Sequence, residues 1–421
     1  MTGPDCDVEE LRRTVADLVT EDPESIGPDT NLFELGLDSL ALMRLVGRWR
    51  QSGIEVNFAE LADHPTISAW SKLMDEREPA VVVGNGAGAG PTAGTDAEFP
   101  LAVMQHAYWI GRGDGQWLGG VAAHLYTEFD RVGVDPDRLR TAIERLVTRH
   151  DMLRARFTTG GKQRVEPISG WRGLTVHDLR GLDHQQSTAR LASIRDTLSH
   201  QMLDIERGEV FYIALSLLPG GRTRLHLDVD MVAADAVSYR ILLADLAQLY
   251  ERPGVMLPAV GYSYREYRMA RLESRNQAAA QWWQGRLPNL PSAPELPLAG
   301  RRVEQRSSAA RVSRRYFTLG AQACAALTGA CRRRAVTPAM VVATAFAEVI
   351  GAWSAQPRFL LNVPLFDREQ LHPDVDKLVG DFTSSVLLEV DLTEPVKFVE
   401  RVRRMQSQMH TDAAHAGYPG V

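Results

Sequence analysis

Residues 225–238 read Leu-His-Leu-Asp-Val-Asp-Met-Val-Ala-Ala-Asp-Ala-Val-Ser. The alternation of apolar and polar residues at the start predicts a strand, and residues 239–250 place apolar positions at helical spacing. Asp230, Asp235 and Ser238 fall where the strand would lead into the helix. Carboxylates are costly to bury unpaired, so their presence in an apolar stretch indicates an ion partner or a functional site. As an alternative, Asp235 and Ser238 form the N-terminal cap of the helix.

The chain around this stretch alternates between predicted helices and strands. Such alternation predicts a layered α/β or α+β architecture, and 421 residues are enough for two or three units. We expect further amphipathic helices at 139–149 and 337–353, and further strands at 124–129, 211–218, 359–363 and 385–391.

A second junction lies near the N-terminus, in Leu35-Gly36-Leu37-Asp38-Ser39-Leu40. Asp38 or Ser39 is suited to cap the helix predicted to follow. An acidic helix predicted at 8–20 and an apolar segment at 58–70 flank this junction, which predicts a small helical bundle with a serine at the start of one helix.

Residues 79–97 are mostly small and show no periodicity. They predict a flexible linker between a domain at 1–78 and a domain at 98–421. Residues 1–80 contain 17 acidic and 7 basic side chains, a net charge of −10, whereas the whole chain carries −6. An acidic domain joined to a mildly basic one favours transient docking between the two.

The composition argues against several classes of protein. No apolar run approaches the roughly 20 residues that a membrane-spanning helix needs, and the charge balance argues against a nucleic acid partner. The three cysteines form no disulfide pattern and the histidines lack zinc-ligand spacing. We therefore expect no metal site and a reducing, cytoplasmic location.

The spacing Asp230-xxxx-Asp235-xx-Ser238 resembles the DxxxxDxxS signature of heterocyclization domains of nonribosomal peptide synthetases, which are relatives of condensation domains. Met231 falls where condensation domains carry their second histidine, and a thioether is not a base. Other segments resemble further signatures of this family and follow its order, at residues 99–112, 149–157, 287–297, 337–338, 353–354, 359–368 and 380–384.

The N-terminal part resembles the aryl carrier domains of siderophore synthetases, on the Ser39 motif and on residues 49–50, 56–62 and 65–70. Together the two parts resemble the N-terminal portion of mycobactin-type phenyloxazoline synthases. The resemblance implies a four-helix carrier bundle followed by a chloramphenicol-acetyltransferase-like α/β domain with two lobes, the second of them truncated.

The resemblance also implies a cofactor and partners. It implies that 4'-phosphopantetheine is attached covalently to Ser39, with Gly36, Asp38 and Leu40 flanking the attachment site. The implied partners are a phosphopantetheinyl transferase, an aryl-acid adenylating ligase, and downstream adenylation and peptidyl carrier domains.

The activity implied by the resemblance is condensation of a carrier-bound aryl acid, salicylate, with a carrier-bound serine or threonine, followed by cyclodehydration to a hydroxyphenyl-oxazoline. Thiazoline formation from cysteine, ordinary condensation-type acyl transfer and a non-catalytic carrier-docking scaffold remain alternatives.

Roles for single residues follow from the same resemblance. Asp235 is expected to pair with an arginine of the second motif, Arg154, and Ser238 to cap the following helix. Asp230 is expected either to orient substrate or to brace the active-site tunnel. The family's dehydration step is assigned to a threonine and an aspartate of later motifs, which we do not find in this chain.

Overall fold

The structure of the protein is a computed structural model. It describes residues 8–19, 21–37, 64–75, 97–113, 119–158, 160–273, 277–297 and 314–418, together with residues 42, 45, 46, 49, 56, 60 and 61. The described residues form a small helical unit at the N-terminal end and two α/β lobes. Of the predicted linker at 79–97, all but residue 97 lies outside the described residues.

The N-terminal unit contains helices α1 (Val8–Val19) and α2 (Ile67–Asp75) and a one-turn helix at Pro23–Ser25. Leu32, Leu42 and Trp70 lie in its apolar core and are almost completely buried. The Trp70 indole Nε1 donates a hydrogen bond to Leu61 O at 2.9 Å, so the polar edge of the ring is satisfied inside the core.

The described part of the first lobe contains two sheets and four α-helices. The strands are β1 (Phe99–Pro100), β2 (His124–Val132), β3 (Ala155–Thr158), β4 (Lys162–Val165), β5 (Thr175–Asp178), β6 (Phe211–Leu217) and β7 (Arg222–Asp230). The helices are α3 (Val103–Gly111), α4 (Pro136–Arg149), α5 (His184–Leu198) and α6 (Ala236–Glu251), with one-turn helices at Asp151–Arg154, Ile205–Arg207 and Pro219–Gly221. One sheet has the order β2-β7-β6-β5, in which only β5 and β6 are parallel, and the other has the order β1-β4-β3.

The alternation in β7 separates the two faces of the four-stranded sheet. Leu227 and Val229 belong to the main apolar core, which also contains residues of α4 and α6. His226 and Asp228 lie on the opposite face, which α5 covers through a smaller apolar cluster. This second face is therefore a buried polar surface, and its charged groups need partners inside the protein.

The second lobe follows α6 along the chain. Its helices are α7 (Tyr264–Glu273), α8 (Gln277–Arg286), α9 (Ala321–Arg332), α10 (Pro338–Trp353) and α11 (Phe398–Ala414), with one-turn helices at Leu287–Asn289 and Val375–Lys377. Strands β8 (Arg358–Phe366) and β9 (Thr383–Asp391) form an antiparallel pair. Phe359, Leu388 and Val402 join this pair to α11 in a separate apolar core.

The predicted layered α/β architecture is confirmed for the described residues, and the predicted helices and strands of both lobes are present. Within the predicted apolar segment 58–70, α2 begins at Ile67. Pro65 interrupts the segment, since proline disfavours a helical conformation in the residue before it. No helix in the described ranges is long and apolar enough to cross a membrane.

The lobes meet where the segment before β9 crosses the start of α6. Gly380 lies directly against the ring of Tyr264, which is buried and donates a hydrogen bond from its hydroxyl to Asp381 O at 2.6 Å. A Cβ atom at position 380 would overlap this ring. The close approach explains why a residue without a side chain occupies this position.

Gly380→Ala is expected to lower the free energy of unfolding by about 1–3 kcal/mol, because the added methyl group must displace the buried ring of Tyr264. Gly285→Ala is the matched control: it lies in α8, its new Cβ would meet no atom within 4 Å, and we expect a gain of about 0.5–1 kcal/mol. Urea unfolding followed by tryptophan fluorescence measures both. Equal behaviour of the two variants would contradict the close packing at Gly380.

Candidate functional site

Asp235 is fully buried at the N-terminus of α6 and is bound from both lobes. Its Oδ1 accepts from the backbone N of Ser238 at 2.6 Å, which is the predicted helix cap. The same oxygen accepts from Arg368 Nη2 at 3.2 Å. Its Oδ2 accepts from the backbone N of Phe382 at 3.3 Å. One carboxylate thus caps a helix of the first lobe and holds two groups of the second.

Ser238 contributes through its hydroxyl as well as its backbone. The hydroxyl donates to Gly380 O at 2.7 Å and lies 3.0 Å from the Gly380 N, which donates to it. It also accepts from Arg368 Nη2 at 2.7 Å. The prediction that Ser238 caps α6 is therefore wrong. Asp235 is the cap, the backbone N of Ser238 donates to it, and the Ser238 hydroxyl joins the helix to the second lobe.

Arg368 is the arginine partner of Asp235, and the predicted partner Arg154 was wrong. Arg154 Nη2 binds Asp151 at 2.6 Å and its Nη1 donates to Glu166 O at 3.1 Å. The physical reason is local: Arg154 ends the one-turn helix that begins at Asp151, so the nearest carboxylate is three residues earlier. Arg368 instead follows β8 and enters from the second lobe.

The Arg368 guanidinium is held on several sides. Its Nη1 donates to Val375 O at 3.0 Å and to Leu378 O at 2.9 Å. The guanidinium carbon lies 3.9 Å from the centroid of the Phe382 ring, a cation–π arrangement. These contacts fix the orientation of the planar guanidinium, and a lysine ammonium could not make the same set of contacts.

Asp230 is the buried carboxylate at the end of β7, and its partner is Arg112. Arg112 Nη1 binds Asp230 Oδ2, and Nη2 donates to Leu203 O. Asp230 Oδ1 accepts from the Val232 N at 3.1 Å. Burial raises the pKa of Asp230, and the positive charge of Arg112 opposes that rise. This geometry favours a bracing role for Asp230 over free contact with substrate.

Helix α3 places Arg112 and a second buried side chain along the 230–235 loop. Gln105 Nε2 donates to Val232 O at 2.6 Å and to Gln163 Oε1 at 2.9 Å. Gln105 Oε1 accepts from the backbone N of Ala102 at 2.7 Å. The segment 99–112 was identified from sequence as a motif, but the contacts of Gln105 with Gln163 and Val232 were not predicted, since they join residues 58 and 127 positions apart.

His124 lies opposite Asp230 in the β2–β7 pairing and is bound to Asp228. Its Nδ1 is 2.6 Å from Asp228 Oδ1, and Gln201 Nε2 donates to Asp228 Oδ2 at 2.6 Å. Burial alone lowers the pKa of His124, but the hydrogen bond and charge of Asp228 raise it above its ordinary value overall. Nothing in the sequence pattern singled out this pair except the alternation of β7.

Asp381 is a second buried acid beside Asp235. Its Oδ1 accepts from the Thr383 N at 3.0 Å, and its Oδ2 has no hydrogen-bond partner within the described part of the chain. Burial raises the pKa of Asp381 to about 7, and the charge of Asp235 adds to the rise. Burial, followed by the charge of Asp381, raises the pKa of Tyr108 to about 12. The raised pKa values of Asp381 and Tyr108 both result first from burial, and Asp381 contributes to that of Tyr108 through its charge.

The predicted attachment residue Ser39 lies outside the described residues, as do Asp38 and Leu40. The described part of the same loop ends at Leu37. Leu37 is buried in the helical unit, and Gly36 has φ +105°, a left-handed conformation that favours glycine. Within the described ranges, no group of three His, Cys, Asp or Glu side chains is arranged to hold a metal ion.

Comparison with known families defines the class of protein. The family model described as "Condensation domain" matches residues 123–420, and the one described as "Phosphopantetheine attachment site" matches residues 9–74. The chain belongs to the condensation-domain family, and its N-terminal part carries a phosphopantetheine attachment site. This confirms the predicted order of a carrier unit followed by a condensation-like α/β fold.

The chain is similar to particular members of biosynthetic assembly lines. It is 50% identical to phenyloxazoline synthase MbtB of Mycobacterium tuberculosis (strain ATCC 25618 / H37Rv) over 98% of this chain and 29% of the relative. It is 38% identical to pyochelin synthetase PchE of Pseudomonas aeruginosa (PAO1), again over 98% of this chain and 29% of the relative. The chain therefore spans less than a third of the length of these relatives.

A solved structure supports the same fold. The cyclization-docking bidomain of the EpoB nonribosomal peptide synthetase from Sorangium cellulosum matches with a TM-score of 0.70 and 31% sequence identity. The match covers 90% of this chain and 78% of that chain.

Arg368→Met is expected to lower the free energy of unfolding by about 3–5 kcal/mol, because it leaves the Asp235 carboxylate buried without its counter-ion. Arg154→Met removes a partly exposed ion pair and is expected to cost less than about 1 kcal/mol. Urea unfolding of both variants makes the comparison. A greater loss for Arg154→Met would contradict the assignment of Arg368 as the partner of Asp235.

The pH dependence of stability reports on Asp381. Between about pH 4 and pH 7 the unfolded chain releases this proton and the folded chain keeps it, so rising pH favours unfolding. Asp381→Asn removes this pH-dependent contribution to the free energy of unfolding. Relative to the variant, the wild type should lose up to roughly 4 kcal/mol of stability across this range, at 1.36 kcal/mol per pKa unit.

Urea unfolding at a series of pH values measures this difference. Asp137→Asn, an exposed position on α4, is the control and should follow the wild-type curve. Parallel curves for wild type and Asp381→Asn would show that Asp381 is ionised in the folded protein at low pH.

Proposed function

We propose that this chain is a segment of a siderophore-type nonribosomal peptide synthetase that serves the heterocyclization of a carrier-bound aryl acid. The observation that carries the proposal is that both aspartates of the DxxxxDxxS segment are bound by arginines in the structure. Asp230 is bound by Arg112 and Asp235 by Arg368, so both aspartates hold the loop between the lobes. Met231 occupies the position between them at which a histidine-based condensation would need a base, and a thioether accepts no proton there.

The carrier unit supports the first half of the proposed reaction. The attachment-site family match spans residues 9–74, which includes Ser39. We assign Ser39 as the residue that bears 4'-phosphopantetheine, whose thiol holds the acyl group as a thioester. Joining this carrier to the condensation-like domain raises its effective concentration at the site to roughly millimolar for a short flexible linker.

The identity of the substrates rests on similarity. Because the first relatives include phenyloxazoline synthases, we propose salicylate as the aryl acid and serine or threonine as the residue that is condensed and cyclodehydrated. A separate adenylating ligase would load the aryl acid, and downstream adenylation and carrier domains would present the amino acid. A phosphopantetheinyl transferase would modify Ser39, and the absence of a disulfide pattern supports a cytoplasmic location.

The residues of the site would act by positioning. Arg112 and Arg368 hold the two aspartates from different lobes, and Gln105 fixes the backbone between them through Val232 O. A rigid loop between the lobes keeps two tethered substrates in register. Such positioning supplies a large part of catalysis when two reactants are both delivered on carriers.

The experiment that tests the carrier assignment is intact-protein mass spectrometry after incubation with coenzyme A and a phosphopantetheinyl transferase. Wild type should gain one phosphopantetheine, about 340 Da, through a phosphodiester bond to serine. Ser39→Ala should gain nothing, whereas Ser25→Ala, in the one-turn helix at Pro23–Ser25, should gain the same mass as wild type. No gain on wild type would contradict the carrier assignment.

Incubation with salicylate and its adenylating ligase should then add the mass of one salicyloyl group. This gain should occur only on wild type that already carries phosphopantetheine. With a threonine-loaded downstream carrier, a heterocyclization domain releases one water beyond the amide product, whereas ordinary condensation stops at the amide. Recovery of the amide without ring formation would favour condensation-type acyl transfer, and loading without either product would favour a docking scaffold.

A further inference from the structure

The carrier unit contacts the second lobe through the loop that leads to Ser39. The rings of Phe33 and His410 lie 5.9 Å apart between centroids at an angle of 38°. Ala413, one turn further along α11, packs against the apolar core of the carrier unit. The C-terminal end of α11 is thus a surface on which this loop rests.

Arg332, the last residue of α9, lies against the same loop. A methyl group built on Gly36 would be 2.9 Å from the Arg332 Nη2 atom, so the guanidinium rests on the backbone of the Gly36 turn. Gly36 has φ +105°, so the turn itself has the conformation that glycine permits. The guanidinium therefore places a positive charge beside the turn that precedes Ser39 in the sequence.

The Arg332 side chain is exposed and, among the described residues, makes no hydrogen bond or ion pair. The turn that carries it is nevertheless rigid. Gln406 of α11 donates from Nε2 to Ala335 O at 3.2 Å and accepts at Oε1 from the Thr337 N at 2.8 Å. Arg403 of α11 donates to Arg334 O at 3.4 Å. The backbone that follows Arg332 is therefore fixed against α11, while its guanidinium lies beside the Gly36 turn without a hydrogen-bond partner among the described residues.

The phosphodiester that attaches pantetheine to Ser39 would be an anionic partner for Arg332. Ser39 follows Gly36 by three residues, so their Cα atoms are separated by at most about 11 Å. A phosphodiester on the Ser39 hydroxyl carries one negative charge and unesterified oxygens. Arginine binds such oxygens with paired, charge-assisted hydrogen bonds.

The charge of the two units agrees with this arrangement. Residues 1–80 carry −10, and the turn after α9 presents three consecutive arginines, Arg332, Arg333 and Arg334. Of these, Arg333 lies over Gly329 of its own helix, and Arg334 Nη1 donates to Ala330 O at 3.0 Å. Only Arg332 of the three contacts the carrier loop in the structure described.

We propose that Arg332, supported by α11, is a binding site for the phosphodiester of the pantetheine arm and docks the chain's own carrier unit on the second lobe. This proposal rests on the assignment of Ser39 as the attachment residue. It goes further in placing the docked carrier at the ends of α9 and α11, on the second lobe rather than the first.

Phosphorus NMR of the modified chain tests the proposal, since the pantetheine phosphodiester is its only phosphorus. In wild type the resonance should be shifted and broadened by docking, and moderate salt should reverse both effects. Arg332→Gln should lower the equilibrium constant for docking about tenfold, the equivalent of 1.4 kcal/mol, and narrow the line. Arg332→Lys should be intermediate, and Arg333→Gln, with the same change of charge, should match wild type.

The outcomes separate the two proposals. If wild type shows neither a phosphorus resonance nor a mass gain, the Ser39 assignment itself fails. If the resonance is present but unchanged in Arg332→Gln, the carrier assignment stands and the Arg332 site is overturned. An equal effect of Arg332→Gln and Arg333→Gln would also overturn the site, because it would show general electrostatic attraction rather than contact with one guanidinium.

Discussion

The ion pair between Asp235 and Arg368 joins the two lobes at a point where both side chains are buried. The Asp235 side chain is fully buried and that of Arg368 is 8% exposed. A buried pair of this kind is tolerated only when further hydrogen bonds satisfy the remaining polar atoms. Ser238, the Phe382 N and two backbone carbonyls supply hydrogen bonds to these atoms, except Arg368 Nε, which has no partner among the described residues. Because these groups come from α6 and from the segment between β8 and β9, the pair forms only when both lobes are in place.

A second pair, Asp230 with Arg112, anchors the other end of the same loop within the first lobe. Four residues separate the two aspartates, and Gln105 binds the carbonyl of Val232 between them. The loop is therefore fixed at its first residue, in its middle and at its last residue. This arrangement explains why the DxxxxDxxS signature has two aspartates, because each carboxylate is paired with its own arginine.

Much of this organisation could be predicted from the sequence, and the reasons are local. The strand before Asp230 and the helix after Ser238 follow from periodicity, and the capping role of Asp235 follows from its place before the helix. The motif resemblance led to the correct family. The linker boundaries and the role of Ser39 remain predictions.

The partners of the buried charges could not be predicted, because they depend on packing between distant segments. Arg154 and Arg368 are both arginines in recognisable motifs, and only the lobe arrangement decides which one meets Asp235. Asp381 is similar: in sequence it is one acid of a motif, and its raised pKa results from burial and from the charge of Asp235. Likewise, the alternation of β7 predicted a polar face but not the contact of His124 with Asp228.

The double role of Asp235 has a consequence for the order of folding during synthesis. Multidomain chains generally fold from the N-terminus as they emerge from the ribosome. The first lobe contains everything needed to start α6, since Asp235 caps Ser238 within the same turn. Its counter-ion at position 368 is translated more than 100 residues later. Until then the Asp235 carboxylate stays hydrated. It loses this water only when the second lobe packs against the first.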